Sequence, residues 1–311
     1  MPRTKADLTT NLAGLELRNP VLVASGTFGA GREGSNFIHL NDIGGVIVKS
    51  MTLTAWRGKP TPRVCETPSG MLNAIGIQNK GVDHFITEDL PWLVKKNATV
   101  VASIAGNTVE EFVKVADKLR TASGVAAVEI NISCPNLEDR NNMFAHSPEA
   151  TAAVTGGVKK AIPRIPVFAK LSPNVTSLSE IASAAVEAGA DGLSLINTLM
   201  GMSIDVESRR PKLAGTYGGL SGPAIRPVAV RAIHEVHAAF PHVPIIGQGG
   251  VMSALDAIEL MLAGASAVAV GTANFVDPTT SVKIVAGIAE YMARHGIAVT
   301  AEIVGAVKLE G

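Results

Sequence analysis

A thiol flanked by carboxamides is the most chemically suggestive grouping in the chain. Cys134 sits in NISCPN, between Asn131 and Asn136. An unperturbed thiol ionises with a pKa of about 8.5, so a cysteine in a loop supplies a usable base above a ligand held by the two amides. Cys65, in RVCETP, has no such company and reads as a small buried hydrophobe. Lys49 closes GGVIVKS and Lys170 lies in PVFAKLS. Lysines at the ends of apolar runs need partners, because an ammonium is rarely buried alone. One of them, Lys170, also suits a Schiff-base nucleophile. Gly249 and Gly250 in PIIGQGG, and Gly271 with Thr272 in AVAVGTA, offer bare backbone N–H groups of the kind that seat a phosphate.

Two patterns read as decoys. GAGREG, residues 29–34, matches a dinucleotide fingerprint but starts past the strand, and the next apolar run ends in Lys49 and Ser50 instead of an acidic residue for a ribose. The seven histidines show no metal-ligand spacing; His234 and His237 share a helix and read as a solvated face, and no metal is expected.

These groups recur at one kind of place. Short Val- and Ile-rich runs alternate with Ala-rich stretches of helical period, which is the pattern of parallel strands joined by crossover helices. Eight such runs begin at Pro20, Gly44, Val100, Ala127, Pro166, Gly192, Pro244 and Ala267. Eight closes a (β/α)8 TIM barrel, a fold of roughly 250 residues that nearly fills this chain as one domain over 1–311. Helices are expected over 108–121, 148–161, 179–188, 227–239 and 254–263, with Gly189 and Gly264 as left-handed caps. The expected architecture adds an N-terminal hairpin and two insertions, 51–90 and 199–223, over the carboxyl-end mouth. Such barrels assemble their sites from strand carboxyl ends. Those ends carry Ser25, Lys49, Ser50, Ser103, Asn131, Lys170, Asn197, Thr198, Gly249, Gly250, Gly271 and Thr272.

Composition narrows the partners. Lys plus Arg and Asp plus Glu are equal at 27 each, so no net field recruits nucleic acid or an anionic membrane. The polar start lacks a secretory or membrane-spanning stretch, which points to the cytoplasm. Two cysteines cannot form a self-contained iron–sulfur cluster, which takes about four thiolates.

The strings NPVLVASGTFG, GVIVKS, TPRVCETPSGMLNAIGIQN, INISCPN, AKLSPNV, LINT, GGLSG, GQGGV and VGTANF follow one another along nearly the whole chain. Together they resemble the dihydroorotate dehydrogenases, and most closely the soluble, cysteine-base class whose catalytic subunit passes electrons to a partner. The resemblance implies FMN held by Ser25, Lys49, Ser50, Asn131, Lys170, Ile196, Gly222, Gly249, Gly250, Gly271 and Thr272. It implies dihydroorotate or orotate against Lys49, Asn73, Ala74, Ile75, Gly76, Ile77, Asn131, Asn136, Asn197 and Thr198. Asparagine pairs a donor with an acceptor, as a pyrimidine edge requires. Cys134 would take the C5 proton of dihydroorotate while flavin takes hydride from C6, a step of pyrimidine (UMP) biosynthesis. The further partners implied are a homodimeric core and a subunit carrying FAD and a [2Fe-2S] cluster that delivers electrons to NAD.

Two departures stand out. Ser103 replaces the asparagine of the family's ANVAG phrase, implying a shortened or water-mediated flavin contact, and LEDRNNMFAHS replaces the usual glycine-rich lid after CPN. Open alternatives are a fumarate-dependent dihydroorotate dehydrogenase, another FMN barrel acting on a pyrimidine (including the tRNA dihydrouridine synthase type), a Schiff-base aldolase through Lys170, and a non-catalytic binding barrel.

Overall fold

The computed structural model describes residues 6–133 and 144–309, so Cys134 and Asn136 lie outside the described residues. The chain opens with a hairpin of β1 (Thr10–Leu12) and β2 (Leu15–Leu17), followed by β3 (Val21–Val23), β4 (Gly45–Ile47), β5 (Val64–Thr67) and β6 (Gly70–Asn73). Helices α1 (Val82–His84) and α2 (Leu90–Lys95) lead to β7 (Val100–Ile104), α3 (Val109–Leu119) and β8 (Val125–Asn131). Then come α4 (Pro148–Ala161), β9 (Val167–Lys170), α5 (Leu178–Glu187), β10 (Gly192–Leu195), β11 (Leu199–Met202), β12 (Ile204–Asp205), β13 (Arg210–Pro211) and β14 (Tyr217–Ser221). The last part holds α6 (Arg226–Ala239), β15 (Ile245–Gln248), α7 (Ala254–Ala263), β16 (Ala267–Val270), α8 (Ala273–Val276) and α9 (Thr280–His295).

Eight strands close a parallel barrel in the order β10-β15-β16-β3-β4-β7-β8-β9. All eight coincide with the apolar runs expected from sequence. Alternate residues point opposite ways along each strand. Leu22, Ile47, Val101, Ala127, Phe168, Ile246 and Ala267 therefore pack together inside, where Leu12 and Leu17 of the hairpin join them. Their neighbours Val21, Val46, Val100, Val128, Val167, Leu193, Ile245 and Val268 face the helices in a second, larger cluster.

Caps fix where the crossover helices start. The hydroxyls of Thr108, Ser147, Ser177 and Ser253 accept from the backbone N–H groups of Glu111, Ala150, Glu180 and Asp256. At the other ends, Gly189 and Gly264 have φ of 97° and 129°. Ala190 N–H reaches Ala185 O and Ala265 N–H reaches Leu260 O, both at 3.0 Å, so two last-turn carbonyls are satisfied.

The two long insertions do more than overhang the mouth. Their strands pair with each other in one antiparallel sheet, β11-β14-β6-β5, with Gly219 opposite Asn73 and Leu220 opposite Leu72. The glycine-rich YGGLS forms a strand because its neighbours leave no space: a Cβ on Gly219 would lie 2.0 Å from Thr198 Oγ1. Turn chemistry in the sequence hid this pairing. Helix α9 was likewise not anticipated, and GAGREG forms turns that run into a short 3₁₀ segment at Gly34–Asn36.

His237 corrects the expectation of a solvated helix face. It is half-buried against the chain at Gly264 and Gly305, and its Nδ1 has no hydrogen-bond partner among the described residues. Burial, with His234 nearby, holds its pKa below the ordinary imidazole value, and burial does the same to His146. The unfolded chain therefore takes up these protons first as pH falls below about 6.5, and stability drops until the folded pKa values are reached. We expect the melting temperature to fall between about pH 7.5 and about pH 5.5, and to fall less in His237→Gln. An identical pH slope in that variant would show that His237 does not contribute. For the barrel interior, Phe168→Ala should cost about 3–5 kcal/mol, read as a lower denaturation midpoint in urea.

Candidate functional site

Inside the barrel the inward positions change character along five of the strands. Ile47 is followed inward by Lys49, Val101 by Ser103, Ala127 by Glu129 and Asn131, Phe168 by Lys170, and Ile246 by Gln248. The closed end is thus filled with hydrocarbon and the carboxyl end with polar groups. Period-two geometry puts all of these on one surface without any loop having to place them.

The polar groups bond to one another in a continuous chain. Lys170 Nζ lies 3.6 Å from Glu129 Oε1 and donates to Ser25 Oγ at 3.5 Å. Both partners of the pair are buried, Lys170 at 6% exposure and Glu129 at 0%. Glu129 Oε1 also accepts from Ser103 Oγ at 3.1 Å. Ser103 and Ser50 share a hydroxyl contact of 2.8 Å, and Asn131 Nδ2 donates to Ser50 Oγ at 2.9 Å. Asn197 Nδ2 then donates to Ser133 Oγ at 2.8 Å, and Thr198 N–H donates to Asn197 Oδ1 at 2.7 Å. Low dielectric strengthens each contact and makes any unpaired member costly.

Above this layer lies a cavity at the barrel mouth. Most of the residues expected from sequence line it. Its lining includes Ser25, Lys49, Ser50, Asn131, Lys170 and Ile196, a glycine wall of Gly222, Gly249, Gly250 and Gly271 with Thr272, and Asn73, Ile75, Gly76, Ile77, Asn197 and Thr198. Ser103 and Ala74 do not line it. Ser103 is fully buried beneath Ser50, and Ala74 packs with Leu72 and Leu213 in the insertion sheet.

The glycine wall is open at Gly271. A Cβ on Gly271 would meet nothing nearer than Ala24 Cβ at 3.8 Å, so the space beside it belongs to the cavity. Gly249 and Gly250, with φ of 124° and 77°, turn the chain sharply after β15. Gln248 adds a buried Nε2 donor with no partner among the described residues. An anion seated on glycine backbone beside polar side chains fits this arrangement.

Two contributors, Glu129 and Asn174, were not singled out from sequence. Glu129 is the chief one, although a lone acid inside the apolar run AVEINIS was a visible signal. Asn174 donates to Thr198 O at 3.0 Å and accepts from Met200 N–H at 2.8 Å, holding the start of the second insertion. Ile77 has φ of 55°, a left-handed conformation that a β-branched residue adopts only under constraint. Its carbonyl accepts from Asn79 Nδ2 at 2.8 Å, which helps to hold that strained edge against the cavity.

A closed parallel barrel whose polar interior layer opens into one cavity at the strand carboxyl ends defines a barrel enzyme. The chain belongs to the dihydroorotate dehydrogenase family, whose family model matches residues 7–292. It is similar to the dihydroorotate dehydrogenase B (NAD(+)) catalytic subunits of Geotalea daltonii, at 52% identity over 98% of this chain and 99% of that protein. The one from Desulforamulus reducens is 50% identical over 98% of this chain and 100% of its own length. That of Anoxybacillus flavithermus is 53% identical over 90% of this chain and 89% of its own. The protein is accordingly an oxidoreductase.

The buried pair makes a stability prediction. Lys170→Met strands Glu129 in the barrel and should cost about 3 kcal/mol, whereas adding Glu129→Gln to that variant should restore much of the loss. Chemical denaturation of the single and double variants checks it. Equal stability of wild type and Lys170→Met would show that the pair is solvated.

Proposed function

We propose that the mouth cavity binds FMN and (S)-dihydroorotate and that the chain, as a single FMN-binding (β/α)8 unit over 1–311, oxidises the substrate to orotate for pyrimidine (UMP) biosynthesis. The observation that carries this reading is the meeting, in one cavity, of Lys49 and Lys170, the amides Asn73, Asn131 and Asn197, and the Gly249–Gly250 and Gly271 backbone. Three chemistries are thereby side by side: cations, paired donors and acceptors, and an anion seat.

The residue roles in this reading come from the family resemblance, and the shared cavity lining supports them for the described residues. Gly249, Gly250, Gly271 and Thr272 hold the phosphate, with Gly222 closing that wall. Ser25, Ser50, Asn131 and Ile196 border the flavin. Lys170 would supply an ammonium to stabilise the negative charge that a reduced flavin gathers. FMN bound here supplies the acceptor for the hydride that leaves substrate C6. On the substrate side, Lys49 pairs with the carboxylate. Asn73, Asn131, Asn197 and Thr198, joined by Asn136, present donors and acceptors to the pyrimidine edge. Ile75, Gly76 and Ile77 shape the wall beside it. Cys134, three residues beyond Asn131, takes the C5 proton as a thiolate; loss of that proton and of the C6 hydride leaves the C5–C6 double bond of orotate.

The names of the relatives support the route by which electrons leave. They are called catalytic subunits and are linked to NAD(+). The reading for this chain is a homodimeric core in the cytoplasm that delivers electrons through a partner subunit carrying FAD and a [2Fe-2S] cluster. No helix among the described residues is long and apolar enough to cross a membrane.

Three outcomes are expected. Cys134→Ala should slow dihydroorotate-driven flavin reduction by about 10²–10⁴-fold while FMN stays bound, measured by anaerobic stopped flow. A wild-type rate would move the base elsewhere. Gly271→Val should weaken FMN binding by at least about tenfold, roughly 1.4 kcal/mol, because its branches enter open cavity space; a fluorescence titration with apoprotein reads this directly. Steady-state NADH formation should be negligible with the purified chain alone and appear only with the electron-transfer subunit. Robust turnover of NAD by the lone chain contradicts the partner assignment, and efficient fumarate reduction would make the chain self-sufficient.

A further inference from the structure

The residue that ties the polar layer together does not touch the cavity. Glu129 is wholly buried, and as a carboxylate it can only accept hydrogen bonds. That restriction settles the direction of every bond linked to it. Ser103 must spend its single proton on Glu129 Oε1, so at its contact with Ser50 it is the acceptor and Ser50 the donor. Ser50, its one proton spent on Ser103, can only accept, and it accepts from Asn131 Nδ2. The carboxylate at one end of this chain thus fixes which way the Asn131 amide faces at the other. On its second side, the same oxygen lies 3.6 Å from the Lys170 ammonium, and Oε2 has no hydrogen-bond partner among the described residues.

We propose that Glu129 is a positioning residue whose one buried charge sets both halves of the site: through Ser103 and Ser50 it orients Asn131 toward the substrate, and by partly offsetting Lys170 it limits how strongly the cavity stabilises negative charge on the flavin. The inference rests on the FMN and dihydroorotate reading given above. It also gives Ser103 a purpose. A hydroxyl there is short enough to sit below the cavity and link Ser50 to the carboxylate, donating to one and accepting from the other.

The two branches can be separated by mutation. Ser103→Ala cuts the branch to Asn131 and leaves the Lys170 ion pair in place. Glu129→Gln removes the charge from both, and its amide is nearly isosteric. The FMN-loaded proteins are compared by the midpoint potential of the bound flavin, from equilibration with a reference dye, and by the Kd of orotate, from its perturbation of the flavin spectrum. Neither readout is an activity. In Ser103→Ala, orotate should bind about tenfold more weakly, the flavin potential should not rise, and Ser103→Thr should restore binding by returning the hydroxyl. In Glu129→Gln, orotate binding should weaken similarly while the potential rises by about 30 mV, a tenfold change in the two-electron equilibrium. A purely structural role would not raise the potential. The proposal is overturned if Glu129→Gln keeps the wild-type potential, or if Ser103→Ala binds orotate as tightly as wild type. Should Glu129→Gln fail to fold, Ser103→Ala and Ser103→Thr decide the Asn131 half, and Glu129→Asp, which draws the charge back from Lys170, decides the other: a raised flavin potential supports it and a wild-type potential overturns it. Wild-type protein that takes up no FMN, or shows no response to orotate, would instead defeat the underlying functional reading.

Discussion

A strand that closes into a barrel has only two directions for its side chains, and the polar layer of this site follows from that restriction. Outward positions are spent on the helices. Inward positions form layers, and each layer receives one residue from several strands at once. A run such as PVFAKLS therefore does two jobs: Val167 and Ala169 pack against the helices, Phe168 fills the barrel, and Lys170 rises into the polar layer. Moving any strand by one residue would exchange its inner and outer faces and destroy the core and the site together.

Placing Lys170 and Glu129 in that layer has a cost that the structure offsets in a particular way. Two charges removed from water are stabilised only when their geometry and remaining hydrogen bonds are good. Here the lysine reaches Ser25 as well as Glu129, and the carboxylate reaches Ser103. A hydrophobic pair of the same volume would serve the fold at least as well. Its retention is intelligible as the means by which a rigid barrel presents an ammonium and an oriented amide to one ligand cavity. The insertion sheet works at the next level up: backbone pairing ties Asn73 to β14, and Ile75, Gly76 and Ile77 follow it in the chain to the cavity edge.

The barrel was legible because its signal is repetitive: eight apolar runs, polar strand ends, and stretches of helical period between the runs. Most of the cavity lining followed from reading strand ends and from the family resemblance. What escaped has physical reasons. Pairing between residues 70–73 and 217–221 spans a long sequence separation and is written in glycines that ordinarily signal turns. Glu129 looked like an interruption of an apolar strand, and only the period-two alternation, applied from Ala127 through Asn131, shows that it must face inward beside Lys170. Ser103 was placed by analogy at the flavin; its short side chain keeps it one layer lower. Cys134 and Asn136 lie outside the described residues, so their roles rest on sequence and on family membership.

The central claim is that this cavity removes hydrogen from a dihydropyrimidine that bears a carboxylate. The most direct measurement mixes the anaerobic, FMN-loaded chain with one equivalent of dihydroorotate and, separately, with dihydrouracil, which lacks the carboxylate that Lys49 would pair. The account requires bleaching of the oxidised flavin band and release of orotate with dihydroorotate, and little or no bleaching with dihydrouracil. A flavin that stays oxidised in the presence of dihydroorotate, or that is reduced equally well by both compounds, would contradict it.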